Sequence, residues 1–359
     1  MIFEKGLGRT LETYEKWWGG DLERPLISAV LTGLESDREP SKYEYEGQKN
    51  FGNIEITPEE IVDSFDYRLS QMEFLGDSYP FFNCDFSGPG IVAAFLGADV
   101  GVSTGNIWFS PKEDLPIEEI HLEYIEDNFW LNRMKAVMSE AKQRWGKSVV
   151  IGMPDLGGVM DVLATFRGTE NLLIDLYESP DEVKRLVNDI KVLWQRYFDE
   201  FAPYLTDGFH ADWGGILSKS STYMMQSDFC FMLSPDMFRE FALEELTDTA
   251  AFLDRASYHL DGVGQIAFIE DLIKTAKMDV IQWVPGDGQY ATQDWFDLYC
   301  QVLDLGAHLQ IMYDDDDLSA MSKLIDHYGT GKNITRTFLY RNVSERGHVQ
   351  GLLSRFGVS

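Results

Sequence analysis

The sequence predicts an α/β protein, a (β/α)8 TIM barrel forming a single domain over residues 1–359, with extra helices and a long loop after strand 2. Three observations carry this expectation. Tyr258-His259-Leu260-Asp261-Gly262 and Asp279-Val280-Ile281-Gln282-Trp283-Val284-Pro285-Gly286 are short apolar runs that stop at polar residues and a glycine. Such runs mark buried parallel strands whose carboxyl ends open into loops. Strand and helix candidates then alternate through eight strands, the barrel pattern. No GxGxxG or Walker pattern follows an early strand, which leaves an open doubly wound sheet as the weaker alternative.

The strands are expected at Leu26–Leu31, Pro80–Cys84, Ser148–Met153, Gly208–Asp212, Ala256–Leu260, Asp279–Val284, His308–Met312 and Ile334–Leu339. Helices between them announce their starts. Thr57-Pro58-Glu59-Glu60 is a capping box with proline at the first helical position, and Ser179-Pro180-Asp181-Glu182 repeats it before a long amphipathic stretch. Ser234-Pro235-Asp236 opens another helix, with Phe238, Phe241, Ala242 and Leu246 on one face. Gly306 is the expected stop after Trp295–Leu305. Residues 86 to 147 read as an extended glycine- and proline-punctuated loop followed by a helix near Leu122–Arg144.

Composition narrows the function. A net charge of -30 repels phosphate backbones and anionic lipid, which argues against nucleic acid and membrane surfaces as partners. It equally serves solubility. Cys84, Cys230 and Cys300 form no CxxC pair, so neither a disulfide framework nor a zinc ribbon is expected and a reducing cytoplasm fits. The first residues lack a basic stretch followed by an apolar run, so no signal peptide is expected, and no uninterrupted run reaches the ~18 apolar residues of a membrane span.

In a barrel, polar residues at strand ends share one pocket. Those residues are Asp85, Asp155, His210, Asp212, Trp213, His259, Asp261, Gln282, Trp283, Asp287, Tyr313, the run Asp314–Asp317, Arg336 and Tyr340. His210-x-Asp212 and His259-x-Asp261 share one spacing, and i and i+2 point to the same side of a strand. Each pair suits a metal site, or a base oriented by its carboxylate. It equally suits a histidine bonded at the rim whose aspartate caps the next helix. Asp314–Asp317 reads either as a cation site or as acids at a helix N-terminus. Trp213, Trp283 and Tyr290 are stacking walls for a flat ligand or rim packing. Cys84 has no basic neighbour in sequence and reads as buried.

With these residues in view the chain resembles the uroporphyrinogen decarboxylase superfamily, which includes zinc methyltransferases that pass methyl groups to and from corrinoid proteins. Ser234-Pro235-Asp236-Met237-Phe238-Arg239-Glu240-Phe241 is similar to the family's "SPexFxeF" helix opening. Tyr258–Gly262 is similar to the strand end where the methyltransferases carry a His-x-Cys zinc pair, and Asp279–Trp283 to the next strand. Trp17–Gly20 and Gln282–Gly286 are similar to segments of other members. The Arg-rich N-terminal motif of the decarboxylases is missing, Asp261 stands at the Cys position, and Ile334–Val343 has no Cys.

The resemblance implies a methyltransferase moving a methyl group between a small methylated substrate and a corrinoid protein or other acceptor. His259 and Asp261 would hold zinc, and His210 and Asp212 would give acid–base help. Asp85, Asp155, Trp213, Gln282, Trp283 and Tyr313 would contact substrate. Two alternatives stay open. One is a decarboxylase of a small or tetrapyrrole acid, for which Arg167, Arg336 and Arg341 are the candidate cations. The other is a non-catalytic barrel that binds a carbohydrate or small molecule. A homodimer is the default expectation for a barrel.

Overall fold

A computed structural model describes residues 4–103, 105–286, 289, 295–312 and 314–358. Its first helix, α1 (Glu4–Trp18), leads into strand β1 (Leu26–Thr32), whose side chains are buried from Leu26 to Leu31. Short α2 (Gln48–Gly52) and α3 (Pro58–Leu69) follow. Helix α3 starts at the expected capping box: Thr57 accepts from Glu60 N at 3.2 Å and Glu60 accepts from Thr57 N at 2.9 Å. After β2 (Met72–Gly76) and β3 (Phe81–Phe82), the long connection holds α4 (Ile91–Phe95), a hairpin of β4 (Asp99–Ser103) and β5 (Asn106–Ser110), and α5 (Phe129–Trp145).

Strand β6 (Val150–Ile151) leads to α6 (Val159–Arg167), α7 (Thr169–Glu178) and the long α8 (Pro180–Phe201). Ser179 gives α8 no side-chain cap; its hydroxyl donates to Glu118 instead, at 3.1 Å. Next come a hairpin of β7 (His210–Ala211) and β8 (Leu217–Ser218), then β9 (Thr222–Gln226). Ser234 caps α9 (Pro235–Phe241), which passes into α10 (Leu243–Phe252) and β10 (Arg255–Asp261). The chain continues through β11 (Val280–Val284), α11 (Phe296–Asp304), β12 (His308–Ile311), α12 (Ser319–Tyr328), β13 (Ile334–Asn342) and α13 (Arg346–Arg355).

The main sheet has the order β2-β1-β13-β12-β11-β10-β9, with all pairs parallel except β1–β2. A parallel β3–β6 pair stands apart from it, joined to β7 by the bond from Met153 N to Ala211 O at 3.0 Å. The molecule is therefore a mixed α/β protein built on a parallel sheet. Among the described residues the strand bonds do not close into a ring, so the closed eight-stranded barrel expected from the sequence is not shown.

The fourth expected strand needs correction. Gly208–Asp212 supplies only the two-residue β7, turned into an antiparallel hairpin, and the strand that joins the parallel sheet is β9. The turn after β7 carries Gly214 and Gly215 into the interior. Gly214 O accepts from Gln310 at 2.8 Å and from Thr337 at 3.0 Å, and Tyr79 donates to Gly215 O at 3.1 Å. Only glycine fits there: a Cβ on Gly214 would meet Met224 at 2.7 Å, and one on Gly215, at φ +77°, would meet the Phe338 ring at 2.5 Å. Below this plug, α1 packs Tyr14 and Trp17 against Leu217 and Val280 at the amino ends of the strands.

Candidate active site

One row of polar side chains crosses the sheet. Gln226, His259, Gln282 and Gln310 lie in register on β9, β10, β11 and β12, and Thr335 stands opposite Gln310 on β13. Gln282 and Gln310 are fully buried. Buried amides need partners, and here they serve each other. Gly214 O can only accept, so the Gln310 amide nitrogen faces it and also reaches Thr337 Oγ1 at 2.6 Å. Gln310 Oε1 then accepts from Gln282 Nε2 at 2.8 Å. That leaves Gln282 Oε1 as the acceptor against His259 Nδ1. The relay therefore places the proton of a neutral His259 on Nδ1 and leaves Nε2 open.

Nε2 opens onto carboxylates. One ligand atom each from Asp228, His259 and Asp261 lie within 4.8 Å of one another. The His259 Nε2 to Asp261 Oδ2 separation is 3.8 Å. Asp228 follows the carboxyl end of β9, and its turn is held by Asp161, which accepts from Asp228 N at 3.1 Å and Phe229 N at 2.7 Å. Burial by itself would lower the His259 pKa, but the bonds to Asp261 and Gln282 and the charge of Asp228 outweigh it and raise it. One imidazole nitrogen and two carboxylates form a donor set that suits a divalent cation. Asp228, His259 and Asp261 are the residues that would hold zinc here.

The expected site residues divide. His259, Asp261 and Gln282 come together as above. Trp213 joins them, its ring 5.1 Å from that of His259, edge to face, with Nε1 donating to Met224 O at 2.8 Å. Asp155 is buried nearby, accepting from Gly157 N at 3.0 Å and from Gln226 at 3.2 Å, and burial pushes its carboxyl up to about 6. Asp85 borders the cavity described below. Its side chain is exposed although protein crowds it, and that crowding, followed by the charge of Asp155, pushes its carboxyl up to about 7.

His210 and Asp212 do not share this mouth. The charge that His210 feels is that of Asp254, next to the amino end of β10, whereas His259 lies four residues further along, about 13 Å at 3.3 Å per residue. Asp212 is fully buried in the plug; its Oδ1 accepts from Ile216 N at 3.1 Å and its Oδ2 has no partner of ordinary geometry. Burial pushes it up to about 7, and its side-chain neighbour is Ser257, one inward position below His259. The reason is the hairpin: β7 turns inward instead of running on as a barrel strand. Trp283 is also displaced. Alternation along β11 turns it away from Gln282, and it packs on Trp295 at 5.2 Å in the helix layer. Tyr313, Asp287 and Tyr290 lie outside the described residues.

Of the remaining candidates, Asp314 accepts from Ala320 N at 3.1 Å and Met321 N at 3.2 Å, so the acidic run caps α12. Arg167 pairs with Asp175, and Arg341 with Asp316 at 2.8 Å. Cys84 is buried and its thiol is pushed well up. Sequence reasoning missed Asp228, Asp161, Gln226 and Gln310. The available signal was a glutamine inside each of three apolar strands.

Trp213 and Gln282, which both touch His259, stand in the wall of a cavity of about 590 Å³ that His259 itself does not line. No protein-family model matches the sequence, and no curated protein matches it. Among solved structures, a methyltransferase from Methanosarcina mazei aligns with a TM-score of 0.57, covering 97% of this chain and 98% of that one at 10% identity. The chain is similar in fold to a methyltransferase. At that identity the likeness speaks for the fold, and the chemistry has to be argued from the residues. No described helix is long and apolar enough to cross a membrane.

Proposed function

We propose that the protein is a methyltransferase of the uroporphyrinogen decarboxylase-like kind, working from a (β/α)8-type barrel. It moves a methyl group between a small methylated compound and an acceptor such as a corrinoid protein. The observation that carries the reading is the Asp228, His259 and Asp261 cluster, joined to a cavity wall through Gln282 and Trp213, in a chain similar in fold to a methyltransferase. Zinc held by these three residues would withdraw charge from the heteroatom that loses the methyl group. The chain's own residues do the rest. Gln282 fixes the His259 ring, Trp213 packs its edge, and Asp161 holds the turn that carries Asp228. Methyl transfer is an in-line displacement and needs an open approach; Asp228 is exposed, which supplies one.

A tetrapyrrole decarboxylase needs a cationic grip on several carboxylates, and among the described residues the cavity wall has a single cation, Arg68. A purely binding barrel would not need titratable groups gathered beside its aromatic wall. The test is elemental analysis of the purified chain with His259→Ala and Asp261→Ala. About one zinc per chain is expected, absent from both variants. A metal-free protein whose melting temperature ignores added zinc sinks the metal role.

A further inference from the structure

The cavity has a built polar corner. Arg68, at the carboxyl end of α3, lies over the Tyr45 ring at 5.3 Å from its centroid. Asp85 and the phenol of Tyr340 are within electrostatic reach of both. Among the described residues Arg68 has no ion pair, and the hydroxyls of Tyr45 and Tyr340 have no hydrogen bond. Both phenols are raised, Tyr340 while still 47% exposed, so each keeps its proton. Asp85 lines the same wall, and its carboxyl is pushed up to about 7. The acid on the same wall, Glu46, is already matched by Lys49 at 2.6 Å. The corner therefore offers a guanidinium and two phenol donors in a protein of net charge -30.

Phe65, Phe74, Phe81, Phe86, Trp213 and Phe338 give the wall its aromatic part. Between the pairs Ile27–Arg336 and Ala29–Leu339, β13 has one more residue than β1, a bulge. Phe338 sits in it at φ +55°, a left-handed conformation that a bulky side chain seldom adopts. The bulge aims the Phe338 ring into the cavity, over Gly215 and near-parallel to Phe81 and Tyr340, at 17° and 2°. Strain kept in a cavity wall points to a use for that wall.

We propose that this cavity binds a flat organic anion: a single carboxylate on an aromatic or conjugated skeleton, its carboxylate among Arg68, Tyr45 and Tyr340 and its ring toward Phe81 and Trp213. A guanidinium with phenol donors recognises a carboxylate by charge-assisted hydrogen bonds, and aromatic walls favour a planar skeleton. The volume suits one small ligand. That the anion is the methyl-bearing substrate rests on the methyl-transfer reading above; its binding does not.

Calorimetric titration of the full chain with 4-methoxybenzoate, its methyl ester and 4-methoxybenzylammonium tests this. The acid is expected to bind at least about tenfold more tightly than the other two. Arg68→Gln should lose at least about tenfold in affinity for the acid, with zinc content and unliganded melting temperature unchanged. Tyr340→Phe should lose less, and it keeps the test open if Arg68→Gln does not fold. Failure of the acid to bind, or ester or ammonium binding as tightly, overturns the inference. So does wild-type affinity in both variants. Zinc content separates the two readings. Anion binding by a chain that takes no metal keeps this inference and removes the metal role; a zinc protein that ignores the acid does the reverse.

Discussion

At the scale of single residues, most of the candidate site's order resides in one proton. His259 Nδ1 is committed to Gln282, and the amide relay ending at Gly214 O fixes the sense of every bond along the way. Gln282→Leu keeps the volume but leaves His259 Nδ1 and Gln310 Oε1 without partners. Unpaired buried groups cost about 1–3 kcal/mol, and a lost bond behind a ligand lowers metal affinity about 10–100-fold. Chelator competition should read that loss in a folded protein; unchanged affinity would mean the relay does not orient the ring. Gly215→Ala tests the plug. Its backbone sits at φ +77° and its new methyl would meet Phe338 at 2.5 Å, so a loss of about 2–4 kcal/mol by urea unfolding is expected.

At the scale of elements, the question is how Asp228 comes to stand beside His259. Helix α6 does it: Asp161 in its first turn accepts two backbone N–H groups of the segment after β9. Asp161→Ala removes no proposed ligand, yet it should weaken zinc binding about tenfold by releasing that turn, with Asp161→Asn recovering part of the loss. Affinity equal to wild type in the alanine variant would assign Asp161 to packing alone. This element also shows why the sequence misled. Phe209-His210-Ala211-Asp212-Trp213 alternates like a half-buried strand and ends in glycines, so it was the natural fourth strand. Thr222-Tyr223-Met224-Met225-Gln226 lacks a turn dipeptide on either side and has two methionines, which carry little strand preference. Moving the strand by fourteen residues, from Gly208–Asp212 to Thr222–Gln226, moved the candidate acid from Asp212 to Asp228. The strands β10, β11 and β12 were legible because each is a compact apolar run, and with them His259, Asp261 and Gln282. The amide row was not, since pairing between distant strands is set by register and not by local pattern.

At the scale of the whole molecule, the excess of acids meets a set of carboxylates raised by enclosure. Glu245 in α10 is pushed up to about 8, by burial and then by the charge of Asp161, and Asp212 is pushed up to about 7 by burial. A carboxyl whose folded pKa exceeds its unfolded value stabilises fully below the unfolded pKa and loses that contribution as pH rises through the folded one. The melting temperature should therefore fall between about pH 5 and pH 8.5, and Glu245→Gln should flatten part of the fall. A profile that rises over that window, or a glutamine variant with the wild-type slope, contradicts the shifts. Added salt should lift the whole curve by screening repulsion among the 60 acids.

The glycine plug has a kinetic consequence. With Gly214 in the cavity wall and pinned to β12 and β13, and α1 packed beneath, the described residues floor the chamber on the side of the strands' amino ends. In the methyl-transfer reading, parent and demethylated compound occupy that one chamber in turn. The demethylated compound should therefore inhibit competitively against its parent, and a noncompetitive pattern would place the two in different sites.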